Sequence, residues 1–215
     1  SNNGTTVDGA NNTGMSCAKP GKYGSACEFD GVDDYVNVTA PTADNLTNGT
    51  ITAWAKFDTI NAGHSGCNSH NGSTDCQLIT FADNFGYALS VTDDGSVNLD
   101  LGSGSGWPVI DTTQASLITA NIWYHIAVSA EGTTVKYYVN GTLQKTNTVA
   151  ANNGLKQGSN DRLGIGGSAL TPSIGIYGSI DDVRIYNYAR TQKQIYEDIN
   201  AGHPAVGSPI GSYVG

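Results

Sequence analysis

Hydrophobic and polar residues alternate with period two through much of this chain. Residues 50–57 read Thr-Ile-Thr-Ala-Trp-Ala-Lys-Phe, with Ile51, Ala53, Ala55 and Phe57 on one side and Thr52, Trp54 and Lys56 on the other. That pattern predicts a strand with one buried face. Residues 123–129 alternate in the same way, and shorter blocks at 26–29, 35–38, 77–82, 87–91, 97–101, 135–139, 143–146, 162–165 and 174–188 read as further strands. Turn residues punctuate them. Asp30-Gly31 and Asp93-Asp94-Gly95 each reverse the chain, and Asn140-Gly141 is the strongest two-residue hairpin signal present. Residues 61–76 read as one long polar loop, and Gly102–Gly106 as a glycine–serine loop leading to Trp107. Only residues 191–200 carry a helical pattern: Thr191 suits the N-cap, Ile195 and Ile199 lie one turn apart, and Gly202 suits the stop.

About a dozen short strands and one short C-terminal helix predict an all-β, antiparallel two-sheet sandwich. The 215 residues suffice for one domain with a substantial core. The expected division is a domain over 1–203 and a flexible tail or linker over 204–215. Composition agrees, with 28 glycines and only 13% charged residues.

Charge narrows the partners. There are 19 Asp plus Glu against 10 Lys plus Arg, a net charge of −9. Nucleic acid needs clustered Lys and Arg, so it is excluded as a partner, as is electrostatic docking on anionic lipid. No apolar run is long enough to insert in a membrane. Carboxylate excess suits a hard divalent cation, whose preferred ligands are oxygens, and it equally suits a soluble surface. The cysteines fall in two local pairs, Cys17/Cys27 and Cys67/Cys76. Three connectivities are open, and proximity favours the local one. His64 and His70 beside Cys67 leave a zinc site as the alternative. Disulfides imply an oxidising compartment, hence an extracellular, secreted or cell-surface protein. Seven Asn-x-Ser/Thr sequons, at Asn3, Asn11, Asn37, Asn45, Asn48, Asn71 and Asn140, permit glycosylation there.

Four segments in order carry a family resemblance. They are Phe29-Asp30-Gly31-Val32-Asp33-Asp34-Tyr35-Val36; Ile51-Thr52-Ala53-Trp54-Ala55-Lys56; Trp123-Tyr124-His125-Ile126-Ala127-Val128, running on to Asn140-Gly141; and Gly178-Ser179-Ile180-Asp181-Asp182-Val183-Arg184-Ile185-Tyr186-Asn187-Tyr188-Ala189-Arg190. Together they resemble LamG-like (laminin G-like) jelly-roll domains of the concanavalin A-like lectin/glucanase superfamily. The resemblance implies a structural Ca2+ site near the N-terminal loop and a late strand. Carried over by residue, its ligands are Asp30, Asp181 and the neighbouring Asp182, with Asp8 and Asn11 matching more loosely. His125 is structural on the same reading, and Arg184 pairs with a nearby acid or a helix end.

Catalysis finds little support. The three glutamates, Glu28, Glu131 and Glu197, are scattered, and none forms the Glu-x-Asp-x-x-Glu pattern that catalytic relatives place on one strand face. The run Gly102-Ser103-Gly104-Ser105-Gly106 has the letters of a nucleophile elbow in an all-β setting. The expectation is therefore a non-catalytic, lectin-like carbohydrate-binding module. Trp107 is the candidate stacking residue, with Tyr87 and Asn84 as further ligand contacts. The rival expectation is a structural or adhesive surface module, such as the head of a pilin-like or filament protein, whose partner is a surface protein met along a sheet edge.

Overall fold

The alternating segments fold into two stacked antiparallel sheets. The computed structural model describes residues 4–9, 15–39, 48–60, 68–70, 73–81, 86–102, 109–149, 162–169 and 175–200. The candidates Asn11, Cys67, Asn84 and Trp107, and the segment 204–215, lie outside the described residues.

In chain order the strands are β1 (Thr5–Val7), β2 (Ser16–Pro20), β3 (Ser25–Asp30), β4 (Tyr35–Thr39), β5 (Asn48–Phe57), β6 (Asn68–His70), β7 (Ser73–Phe81) and β8 (Tyr87–Thr92). They continue with β9 (Val97–Leu101), β10 (Val109–Thr112), β11 (Trp123–Glu131), β12 (Thr134–Val139), β13 (Thr142–Thr148), β14 (Arg162–Ile165) and β15 (Tyr177–Tyr186), followed by helix α1 (Gln192–Asn200). One sheet has eight strands in the order β1-β4-β14-β7-β8-β9-β10, with β6 paired to β7. The other has seven, in the order β13-β12-β11-β5-β15-β3-β2. Strands distant in sequence lie side by side, such as β5 against β15 and β4 against β14.

The core lies between the sheets. Phe29, Ile51, Ala53, Ala55, Phe57, Ile126 and Val128 meet Ile79, Phe81, Tyr87, Leu89, Leu99 and Leu101 there, all buried. The predicted turns have the expected backbone: Asn140 (φ 50°) and Gly141 (φ 76°) both adopt the left-handed conformation that a two-residue hairpin requires.

Two expectations change. Residues 61–76 are not one loop, because β6 and the start of β7 pair within them, from Asn68 opposite Asp75 to His70 opposite Ser73. The face of β5 carrying Thr52 and Trp54 is not open to solvent either: both residues are buried. Cover comes from two distant segments. Lys22 Nζ stands 4.5 Å from the Trp54 ring and the Tyr23 ring meets it edge-on at 6.0 Å. Helix α1 lies beside them and buries Ile195 against Ala127 and Tyr138. Tyr23 ties the two together by donating its hydroxyl to the Ile199 carbonyl at 2.8 Å.

The helix starts where the sequence predicts. The Gln194 amide donates to Thr191 Oγ1 (3.3 Å) while the Thr191 amide donates to Gln194 Oε1 (2.9 Å), a reciprocal cap. Near its end, buried Asp198 accepts from Arg190 (2.6 Å) and from the Tyr186 hydroxyl (3.0 Å). Arg184 pairs with Asp182 at 2.7 Å and with Asp198 at 3.5 Å, the ion pairs expected of it.

Cys17 and Cys27 form a disulfide joining β2 to β3. Cys76 is also disulfide-bonded, and no described cysteine is free. Among the described residues no helix is long and apolar enough to cross a membrane.

Candidate functional site

The turn after β3 gathers carboxylates. Gly31 (φ 73°) takes a conformation that residues with a side chain rarely adopt, and it reverses the chain between β3 and β4. Asp30, Asp33 and Asp34 then present ligand oxygens that all lie within 4.8 Å of one another. Asp30 Oδ1 accepts from the Val32 amide at 2.8 Å, and Asp34 Oδ2 accepts from the Asp30 amide at 3.0 Å. These two bonds brace the turn and fix the carboxylates. Strand β1 pairs with β4 up to Val7 opposite Tyr35, which delivers Asp8 and Gly9 to the same place. A Cβ on Gly9 would fall 2.0 Å from Asp33 Cγ, so only glycine lets the β1 chain approach that carboxylate so closely.

Asp34 is the centre of the site. The residue is 3% exposed, and its Oδ1 is buried without a hydrogen-bond partner among the described residues. Burial pushes its carboxyl up to about 6, opposed by the Asp30 amide and reinforced by the charges of Asp30, Asp8 and Asp33. Asp34, with its buried, unanswered oxygen, and Asp30 and Asp33 beside it form a set of hard donors that suits Ca2+, with the charge of Asp8 nearby. The residues present therefore fit such an ion.

A cleft of about 170 Å3 opens beside the cluster, with Asp30 and Asp34 in its wall. Tyr177 lines it as well. It starts β15 directly opposite Asp30 and is 37% exposed. Lys19 and Glu28, paired at 3.0 Å, stand on the rim.

The structure thus brings together Asp30 and Asp8 from the sequence-derived set, and adds Asp33 and Asp34. Asp181 and Asp182 are not part of it. They lie four and five residues along β15 from Tyr177, roughly 13 Å or more away at 3.3 Å per residue. Asp181 Oδ2 instead accepts from the Tyr23 amide at 2.9 Å, and Asp182 is held by Arg184. A register shift between Asp181 and Arg184, with Asp182 at φ 50°, turns both acids to these structural tasks. Tyr87 is also corrected: it is 1% exposed and packs on Phe81 with ring centres 5.3 Å apart, so its ring belongs to the core. His125 is structural as expected, 2% exposed and edge-on to Trp54 at 5.5 Å.

Asp33 and Asp34 were missed from the sequence, although the Asp-Gly-Val-Asp-Asp run carries the signal, since three acids around a forced turn must crowd. Tyr177 had no such signal. Only the β3–β15 register brings it opposite Asp30.

Residues 30–196 match the family described as the Concanavalin A-like lectin/glucanases superfamily, Laminin_G_3, and the chain belongs to that family. No curated protein sequence matches the chain. Solved structures resemble it in fold. Domain 4 of AbnA, a GH43 extracellular arabinanase from Geobacillus stearothermophilus, in complex with arabinotriose, is 20% identical with a TM-score of 0.63, over 91% of this chain and 87% of that one. The CBM40 of the Ruminococcus gnavus IT-sialidase, bound to α2,3 sialyllactose, is 19% identical with a TM-score of 0.54, over 70% of this chain and 81% of that one. The Botulinum neurotoxin serotype D binding domain is 16% identical with a TM-score of 0.61, over 91% of this chain and 45% of that one. At such identities the likeness is one of fold.

Proposed function

We propose that this domain is a non-catalytic, extracellular glycan-binding module organised by a calcium ion. Asp30, Asp33 and Asp34 would hold the ion, with Asp8 adding negative charge beside them. The carrying observation is the buried Asp34 oxygen that no described group answers, set among carboxylates beside a cleft. Bound calcium supplies the positive charge that this oxygen lacks and ties the β1 end to the β3–β4 turn.

The cleft suits a sugar at its edge. Tyr177 offers an aromatic face to the apolar side of a pyranose, and Asp30 and Glu28 offer acceptors to its hydroxyls. Solved structures of like fold, one in complex with arabinotriose and one bound to α2,3 sialyllactose, support saccharide as the ligand class. The Cys17–Cys27 disulfide supports an oxidising compartment.

A glycan array read with calcium and again with excess chelator tests this. Binding of a defined set of glycans in calcium, much weakened by chelator, is expected. An array blank under both conditions contradicts the glycan reading, and equal binding under both contradicts the role of the metal.

A further inference from the structure

Charge around the cleft bears on which sugars it admits. Asp30 and Asp34 line it, Asp33 stands beside them, and the charge of Asp8 is felt at Asp34. On the rim, Lys19 Nζ pairs with Glu28 Oε2 at 3.0 Å. Among the described residues, Lys19 is the one cation in the wall.

The register of two paired strands makes this ion pair. Lys19 on β2 lies opposite Ala26 on β3, and Glu28 is two residues further along β3. The two side chains are therefore diagonal neighbours across the hairpin, within reach of each other. They are 50% and 43% exposed, so the pair adds little to stability. Its effect is on the cleft: the ammonium of Lys19 is committed to Glu28, and the two charges offset each other.

The size of the cleft brings the remaining charges to bear. A volume of about 170 Å3 equals a sphere about 7 Å across. Pockets for drug-sized ligands run to about 300–1,000 Å3, so this one suits a single sugar ring. The Debye length at physiological salt is about 8 Å, so no substituent of a ring held there is well screened from Asp30 and Asp34. A calcium ion on these acids offsets two of the four carboxylates and leaves two uncompensated. The cleft is then electronegative even with its metal in place.

We infer that the cleft selects uncharged sugar rings and rejects uronates and sialic acids, and that Glu28 sets this choice by holding Lys19. The inference rests on the glycan-binding reading and adds the class of sugar to it. A neutral ring donates hydroxyls to Asp30 and Glu28 and lays its apolar side on Tyr177, which is 37% exposed. An acidic ring meets like charge and finds the wall's cation already paired, which penalises the wrong ligand.

The test uses the whole chain in calcium. An array carries oligosaccharides ending in glucose or galactose beside the same chains ending in glucuronate or galacturonate, so that partners differ only at C6. Calorimetric titration of the best-binding neutral oligosaccharide and of its acidic partner then gives the preference. The neutral one is expected to bind at least about tenfold tighter, a modest figure for like charges brought together. Tyr177→Ala should weaken neutral binding by about tenfold through loss of the aromatic face. Glu28→Gln keeps a carbonyl acceptor and releases Lys19, and should narrow the neutral-over-acidic preference by about fivefold, the scale of one exposed ion pair. Thermal melting checks that both variants fold. Acidic partners binding as tightly as neutral ones overturn the inference, and so does a preference that Glu28→Gln leaves unchanged. Folded Tyr177→Ala binding like the native chain also overturns it, because the sugar then lies elsewhere. In all three cases the glycan reading stands, whereas a blank array overturns both.

Discussion

Replacing Asp75 by Asn isolates the cost of one buried charge. Asp75 is 2% exposed, its Oδ1 has no partner among the described residues, and its carboxyl is pushed from 3.8 to about 7. The folded chain therefore takes up this proton at higher pH than the unfolded chain does. Its penalty is absent below pH 3.8, grows as pH rises, and is complete above about pH 7. A rise of that size corresponds to about 4 kcal/mol, at roughly 1.36 kcal/mol for each pH unit between the two pKa values. At pH 5 the same linkage leaves about 2 kcal/mol. Asp75→Asn removes the titration, although its amide brings N–H donors that need acceptors, so the absolute gain falls below these figures. The difference between the two pH values is free of that offset. Thermal melts of both proteins without ligand should show the variant gaining about 2.6 kcal/mol more, relative to the native chain, at pH 8 than at pH 5. For a domain of this size that is roughly 5–10 °C in Tm. A Tm difference that does not change with pH would refute the buried-charge argument.

His125 should act in the opposite sense. Burial holds its imidazole at about 4, below its ordinary 6.5, so the folded chain keeps it neutral while the unfolded chain protonates. The stability it supplies is full above pH 6.5 and is lost as pH falls towards 4. His125→Leu should therefore lose its disadvantage progressively across that window, by about 3 kcal/mol in all. A native-minus-variant difference that stays flat from pH 7 to 4.5 contradicts this. The Cys17–Cys27 bridge closes a loop with a sequence separation of 10, so the double Ser variant should lose about 2–3 kcal/mol in urea unfolding if the bridge acts by restricting the unfolded chain. An unchanged midpoint would show that it does not act in that way here.

The alternation at 50–57 and 123–129 identified the two central strands, because period two is enforced wherever one face meets a core. It did not reveal that Thr52 and Trp54 are covered too, since their cover comes from Lys22, Tyr23 and helix α1, far away in sequence. The strands β1, β2, β6 and β10 carry no alternation of apolar and polar residues, unlike the equally short β9 and β14, so no pattern announced them. At the site, Asp30 and, more loosely, Asp8 were read from the family's motif, whereas Asp33 and Asp34 were missed although the turn crowds them beside Asp30. Asp181 and Asp182 misled because a doubled acid looks alike whether it meets a metal or an arginine. Only the register shift on β15 and the Asp182–Arg184 pair distinguish the two. On the outer face of the eight-stranded sheet, Asp75, Asn98 and Asp100 alternate as solvent-facing residues do, and nothing in that pattern announces their burial.

Calcium held by the carboxylates around Asp34 is the central proposal, and thermal melting of the native chain and of Asp34→Asn, each with calcium and with excess chelator, tests it most directly. Calcium at one hundred times its dissociation constant should stabilise the native chain by about 2.7 kcal/mol, roughly 5–10 °C in Tm, and leave the Asp34→Asn curve almost unmoved. Superimposable native curves with calcium and with chelator would contradict it.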